Sequence, residues 1–204
     1  MKEKIINALK WFYQSFIWLF IVLLAIDIIT KQVIMNSGVP APGLIADWGF
    51  VHISYVQNPN AAFGLGASNP VVSRVVYLIV ASLITAGLIA FLIIKRKDTK
   101  LFVRASLVMV ITGALGNMID RIFYAQTNYC VVDWIDFYWF WPYVFNIADC
   151  CIVIAAFMLV IYVIVGEVKE AIKRRKAEAS DVKILSKSEQ ERLEEDKKGS
   201  EESK

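Results

Sequence analysis

The chain has 204 residues, of which 57% are hydrophobic and 20% charged, with a formal net charge of +3 and a mean hydropathy of +0.53. That is too apolar for a soluble domain of this length, so a polytopic membrane protein is expected, with no nucleic-acid partner. The one histidine, His52, excludes a histidine-based metal site or catalytic triad, and Cys130, Cys150 and Cys151 form no metal-ligand pattern, so structural cysteines and no metal or cofactor are expected.

A span needs about 20 mainly apolar residues, and four windows supply them, at about 11–35, 71–94, 101–119 and 146–165. The first follows Lys2, Lys4 and Lys10, like the start of a secretory signal peptide, but it is too long and lacks a small-x-small cleavage site before a soluble domain. It is therefore read as a retained span. Basic residues collect at the amino end, between spans two and three (Lys95, Arg96, Lys97, Lys100, Arg104) and after span four (Lys169, Lys173, Arg174, Arg175, Lys176). All three clusters fall on one side of a four-span arrangement, which by the positive-inside rule puts both termini in the cytoplasm.

In span one, Asp27 and Lys31 stand four apart on one helix face, acid first, the better order for an ion pair. A structural pair docking this span and a direct contact to substrate are both open readings. Residues 38–66 change character: Pro40, Pro42, Gly43, Gly49, Pro59, Gly64 and Gly66 punctuate an alternation of Val51, Ile53 and Tyr55 with His52 and Ser54. A small extracytoplasmic β element at the membrane surface is expected there. Asn58 and Asn60 in the following loop are also accounted for by turn chemistry alone. Span two offers no chemistry. Span three ends in a small-residue face, Thr112, Gly113, Ala114 and Gly116, suited to close helix approach, with Asn117 and Arg121 four apart beyond it. Arg121 can pair with Asp120 or another nearby carboxylate.

The stretch from 113 to 151 carries Asp120, Asp133, Asp136 and Asp149 among aromatic residues and between apolar runs. Ionisable groups at membrane depth mark functional sites by default. The rings of Phe137, Tyr138, Trp139, Phe140, Trp141 and Tyr143 suit the headgroup interface. Asn146 and Asp149 open span four, where a carboxylate is also explained as a helix cap. Residues 167–204 are dense in Lys and Glu without aromatics, and read as a charged cytoplasmic tail, a solvated helix fraying into disorder.

Two aspartates brought to one poorly solvated cavity cannot easily both ionise, so the pair holds one proton between them. One carboxylate then activates water while the other protonates the scissile carbonyl, as in aspartic proteases. A glycosidase also uses two carboxylates, but an apolar four-span frame gives a sugar polymer little to bind. A proton-coupled transporter or channel is the competing class. It predicts acids spread through the membrane depth, whereas these cluster on one side.

Four motifs in order, Asn58-x-x-Ala61-Ala62-Phe63-Gly64, the run Gly113 to Arg121, Val131-Val132-Asp133-x-Ile135-Asp136-Phe137 and Phe145-Asn146-Ile147-Ala148-Asp149, resemble bacterial lipoprotein signal peptidase, signal peptidase II. The resemblance implies a mainly α membrane protein, a four-transmembrane-helix bundle with a small extracytoplasmic β element. It implies an intramembrane aspartic endopeptidase that removes the signal peptide from lipid-modified prolipoproteins, cleaving before the diacylglyceryl-cysteine near the outer face of the bacterial inner membrane. Asp133 and Asp149 match its catalytic aspartates; Asp27, Lys31, Asn58, Asn117, Arg121 and Asn146 match positions that bind substrate or support the site. Asp120 and Asp136 match motif positions outside the dyad. Asn60 and Thr112 depart from the family pattern, each standing where glycine is usual. The expected organisation is a protease domain over 1–166 and the tail over 167–204, acting as a monomer among membrane lipids.

Overall fold

The computed structural model describes residues 2–59 and 69–201, so Asn60 and the loop through Gly64 lie outside the described residues. The first apolar helix starts later than hydropathy places it. Helix α1 covers Lys2–Ser15 and helix α2 covers Ile17–Met35, separated by Phe16 in the left-handed conformation at φ 58°. The first helix long and apolar enough to cross a membrane is Ile17–Met35, and Trp11 belongs to α1. The break leaves carbonyls at the end of α1 without helical partners. Side chains from elsewhere supply them: Trp18 Nε1 donates to the Tyr13 carbonyl at 3.2 Å and Arg104 Nη1 to the Gln14 carbonyl at 2.8 Å.

Strands β1 (Gly43–Asp47) and β2 (His52–Asn58) form an antiparallel hairpin, as the alternation over residues 51–55 predicts. Helix α3 (Pro70–Ile94) opens with Pro at its first position and is capped by Asn69, whose Oδ1 accepts from the Val71 N–H at 2.9 Å. Helix α4 covers Leu101–Phe123. It runs one turn beyond the apolar window, so Asp120 and Arg121 are helical and not part of the connection that follows. Arg121 in the last turn suits the negative end of the helix dipole.

The second connection also contributes to the sheet. Strands β3 (Val131–Asp136) and β4 (Val144–Phe145) extend it to a four-stranded antiparallel sheet in chain order, β2 pairing with β3 so that Val56 faces Asp133 and Asn58 faces Val131. The β element expected over 38–66 is thus half of a larger sheet. Helix α5 (Ile147–Glu201) follows at once.

Among the described residues four helices are long and apolar enough to cross a membrane: Ile17–Met35, Pro70–Ile94, Leu101–Phe123 and Ile147–Ala177. Half of the apolar window of α4 is buried, against 11–17% for the other three, so α4 is the central helix and the rest turn most of their apolar surface outward. Its glycines permit close approach. A Cβ on Gly116 would lie 2.6 Å from Asp27 Oδ2 and 3.0 Å from Ala148 Cβ, and one on Gly113 would run into the Ala148 carbonyl and the Ile152 side chain. The neighbouring Thr112 is buried and returns its hydroxyl to the Val108 carbonyl at 2.8 Å within its own helix. Where the sheet meets the helices, Ile34, Tyr55, Tyr124 and Val132 form an apolar cluster.

By packing, the chain divides into Met1–Leu159 and Val160–Lys204. The second unit is helical through Glu201. Oppositely charged residues four apart, such as Glu170 and Arg174, supply local helix support, and no proline interrupts the run.

Candidate active site

The site lies between β3 and the first turn of α5, with α2 and α4 behind it. Asn146 joins the two sides. Its side-chain Nδ2 donates to Asp133 Oδ1 at 2.7 Å, and its backbone N–H donates to Asp149 Oδ2 at 3.2 Å. In return, its Oδ1 accepts from the Asp149 backbone N–H at 2.9 Å. The pair Asn146 and Asp149 is therefore a reciprocal capping box, and the capping role anticipated for Asp149 is realised. That role uses one carboxylate oxygen. The other, Oδ1, accepts from Asn117 Nδ2 at 2.8 Å.

Asp133 is 2% exposed and is held on both oxygens, Oδ1 by Asn146 and Oδ2 by Asn58 Nδ2 at 2.9 Å. Burial, and after it the neighbouring Asp149 carboxylate, push the Asp133 carboxyl up from the ordinary carboxylate range to about 7, against the pull of the two amide hydrogen bonds and of Lys31. Asp136, three residues further along the same strand, points to the opposite face. Its carboxylate accepts from Ser54 Oγ at 2.9 Å.

Behind the two aspartates lies a buried ionic cluster. Lys31 Nζ sits 2.9 Å from Asp27 Oδ2 and 2.9 Å from Asp120 Oδ2, with all three side chains at most 2% exposed. Its third donor direction goes to Asn117 Oδ1 at 3.2 Å. Each acid also accepts from a backbone N–H: Ala148 to Asp27 Oδ1 at 2.9 Å and Val132 to Asp120 Oδ2 at 3.2 Å. The charges thus bind α2 to the start of α5, and α4 to β3, the two elements that carry Asp149 and Asp133. Asn117 Oδ1 accepts from Asn146 Nδ2 as well, at 3.0 Å. An oxygen facing two donors leaves the Asn117 amide nitrogen directed at Asp149.

The eight polar residues singled out from the sequence therefore form one continuous network. Asp120 belongs to it too, paired with Lys31. Arg121 donates to the Asn117 carbonyl at 3.1 Å and stacks over the Tyr77 ring at 3.9 Å from its centroid. Tyr77 gives the second span a part in the site that the sequence did not reveal, since one tyrosine in an apolar run carries no signal. Cys130, by contrast, is a thiol that burial pushes above its ordinary range, which suits an inert structural residue.

A sequence profile described as Signal peptidase (SPase) II matches residues 19–165, most of the chain and every residue of this network. The chain belongs to the signal peptidase II family. Among relatives, the lipoprotein signal peptidase of Clostridioides difficile is 35% identical over 154 residues, 76% of this chain and 97% of that protein. The lipoprotein signal peptidase of Syntrophus aciditrophicus is 40% identical over 116 residues, 55% of this chain and 69% of that protein. A solved structure of a bacterial membrane enzyme, determined by the in meso method at 2.3 Å resolution, superposes with a TM-score of 0.60 at 27% identity, over 72% of this chain and 86% of its own. Signal peptidase II membership makes the chain a peptidase-family hydrolase in a frame of four membrane-spanning helices and a small antiparallel sheet.

Proposed function

We propose that the chain is an intramembrane aspartic endopeptidase that removes the signal peptide from lipid-modified prolipoproteins, cutting before the diacylglyceryl-cysteine. The observation that carries this reading is the sharing of Asn146 between Asp133 and Asp149, which brings two carboxylates to one residue, Asp133 to its side-chain amide and Asp149 to its backbone N–H. Family membership supports the substrate class.

In the proposed mechanism a water molecule lies between the carboxyls. The ionised one takes a proton from it as its oxygen adds to the scissile carbonyl carbon, and the protonated one gives its proton to the carbonyl oxygen. Collapse of the resulting gem-diol breaks the C–N bond, and the departing amine takes a proton from the pair. A carboxyl poised near 7 retains a proton near neutral pH, as this exchange requires. Asn58 and Asn146 fix the Asp133 carboxyl plane, and Asn117 fixes Asp149. Lys31, Asp27 and Asp120 hold the elements that carry the dyad, while Arg121 and its contact to Tyr77 brace Asn117.

The basic clusters support a bacterial inner-membrane orientation with both termini in the cytoplasm and the dyad near the extracytoplasmic face. The aromatic residues 137–143, largely exposed, fit that outer interface. The chain is expected to act as a monomer on substrates presented by the surrounding lipid. Incubating the purified protein with a lipidated prolipoprotein tests the proposal: the substrate should lose the mass of its signal peptide, and an unchanged mass under conditions where the protein is folded contradicts it. Single cysteines at positions 98 and 47 in a cysteine-free background should be labelled only from the cytoplasm and only from outside, respectively.

A further inference from the structure

At the end of the bundle far along α4 from Asp120, where the basic residues gather, an open cavity of about 360 Å³ lies between α2, α3 and α4 and the end of α1. Its wall is apolar, with Phe16, Phe20, Leu92 and Ile111 among the lining side chains, and its polar lining includes two guanidinium groups, Arg96 and Arg104. The volume falls in the range of small-molecule sites, roughly 300–1,000 Å³. Arg104 is 8% exposed. Its Nη atoms hold the Gln14, Arg96 and Thr99 carbonyls, yet its buried Nε has no hydrogen-bond partner. A buried charged donor left unpaired beside a cavity calls for an acceptor. Arg96, half-buried, lies over the Trp11 ring at 4.9 Å and donates to the Trp11 carbonyl at 3.4 Å.

The sequence around the cavity adds Lys10, Lys95, Lys97 and Lys100 against Glu3 and Asp98, so the local charge is strongly positive. Helix α1 carries lysines at 2, 4 and 10 and exposed Ile5, Ile6, Leu9, Trp11 and Phe12, the composition of a helix lying in a membrane interface. Basic pockets between membrane-spanning helices on the positive side hold anionic lipid headgroups, and guanidinium groups match phosphate geometry. We infer that this cavity binds an anionic phospholipid of the leaflet at the basic end, one acyl chain lying in the apolar cavity and the phosphate at the Arg96 and Arg104 guanidinium groups. The lipid clamps α1 to the connection between α3 and α4. The site is separate from the aspartate network and does not depend on the reaction assigned to it.

Native mass spectrometry of the full chain, exchanged into micelles holding equal phosphatidylglycerol and phosphatidylcholine, tests this. The wild type should retain one phosphatidylglycerol with a preference of about tenfold or more over phosphatidylcholine, whose choline cation cancels the phosphate charge that the arginines attract. Arg96→Gln should reduce that preference severalfold. Leu92→Trp, which fills the cavity and leaves both guanidinium groups, should abolish retention of either lipid, and circular dichroism should show both variants folded. Equal retention of the two lipids by the wild type overturns the inference, as does an unchanged preference in the folded variants. Loss of the bound lipid to millimolar inorganic phosphate also overturns it, because the anion would then come from solution.

Discussion

Lys31 and Asn117 meet at 3.2 Å, Nζ to Oδ1, in the buried seam between α2 and α4. An ammonium donates and never accepts, so this contact turns the other end of the Asn117 amide toward Asp149. The same ammonium neutralises much of the charge of Asp27 and Asp120. Removing it leaves two carboxylates facing each other out of reach of water. Lys31→Met should therefore cost about 3–5 kcal/mol of stability, the range for breaking a buried pair. Unfolding of the detergent-solubilised protein measures this, and an unchanged midpoint would contradict the role given to the cluster.

Gly116 lets Asp27 and Ala148 approach α4 at once. Gly116→Ala should force that seam apart and lose about 1–3 kcal/mol, the usual cost of overpacking. Gly87, on α3, has nothing within 4 Å of the corresponding Cβ position. Gly87→Ala should be neutral or stabilising by up to about 1 kcal/mol, since alanine is the better helix former. A Gly116→Ala variant as stable as Gly87→Ala would show that helix propensity, and not close approach, governs Gly116.

The spans and the chemistry-bearing residues were legible because acids, asparagines and an arginine stand out against apolar sequence. The pairings were less so. Asp120 and Arg121 are adjacent in sequence, which invites pairing, but adjacent helical residues diverge; Asp120 meets Lys31 of α2, and Arg121 turns to Tyr77 of α3. Val131 to Asp136 alternates, yet its pairing with β2 joins residues more than 70 positions apart and leaves no local mark. The helix break at Phe16 was also hidden, because hydropathy runs through it without change and the carbonyls it frees are met by Trp18 in the next helix and by the distant Arg104.

The hydrogen bond from Asn58 to Asp133 stabilises the carboxylate form and so lowers the pH at which Asp133 ionises. As pH rises through about 7 the protonated form is lost, and with it the proposed proton donor, so kcat/KM should fall on the alkaline side near neutrality. Asn58→Ala removes one opposing contribution and should move that limb to higher pH. A pH series on a lipidated precursor reads it directly. A limb that stays in place, or moves to lower pH, would contradict the assignment of the ionisation to Asp133.

The central claim is that Asp133 and Asp149 act as one acid and base unit. Asparagine keeps the size of each side chain while removing proton transfer, which typically contributes 10² to 10⁴, so Asp133→Asn and Asp149→Asn should each insert and fold but cleave at least ~10²-fold more slowly. The double variant should be little worse than either single, since members of one catalytic unit are not additive. Asp136→Asn, which alters a carboxylate bonded to Ser54 on the other face of β3, should lose much less. Initial cleavage rates of a lipidated prolipoprotein, at expression matched by immunoblot, measure all four: the account predicts the ~10²-fold loss in both single dyad variants, and near-normal cleavage by either would contradict it.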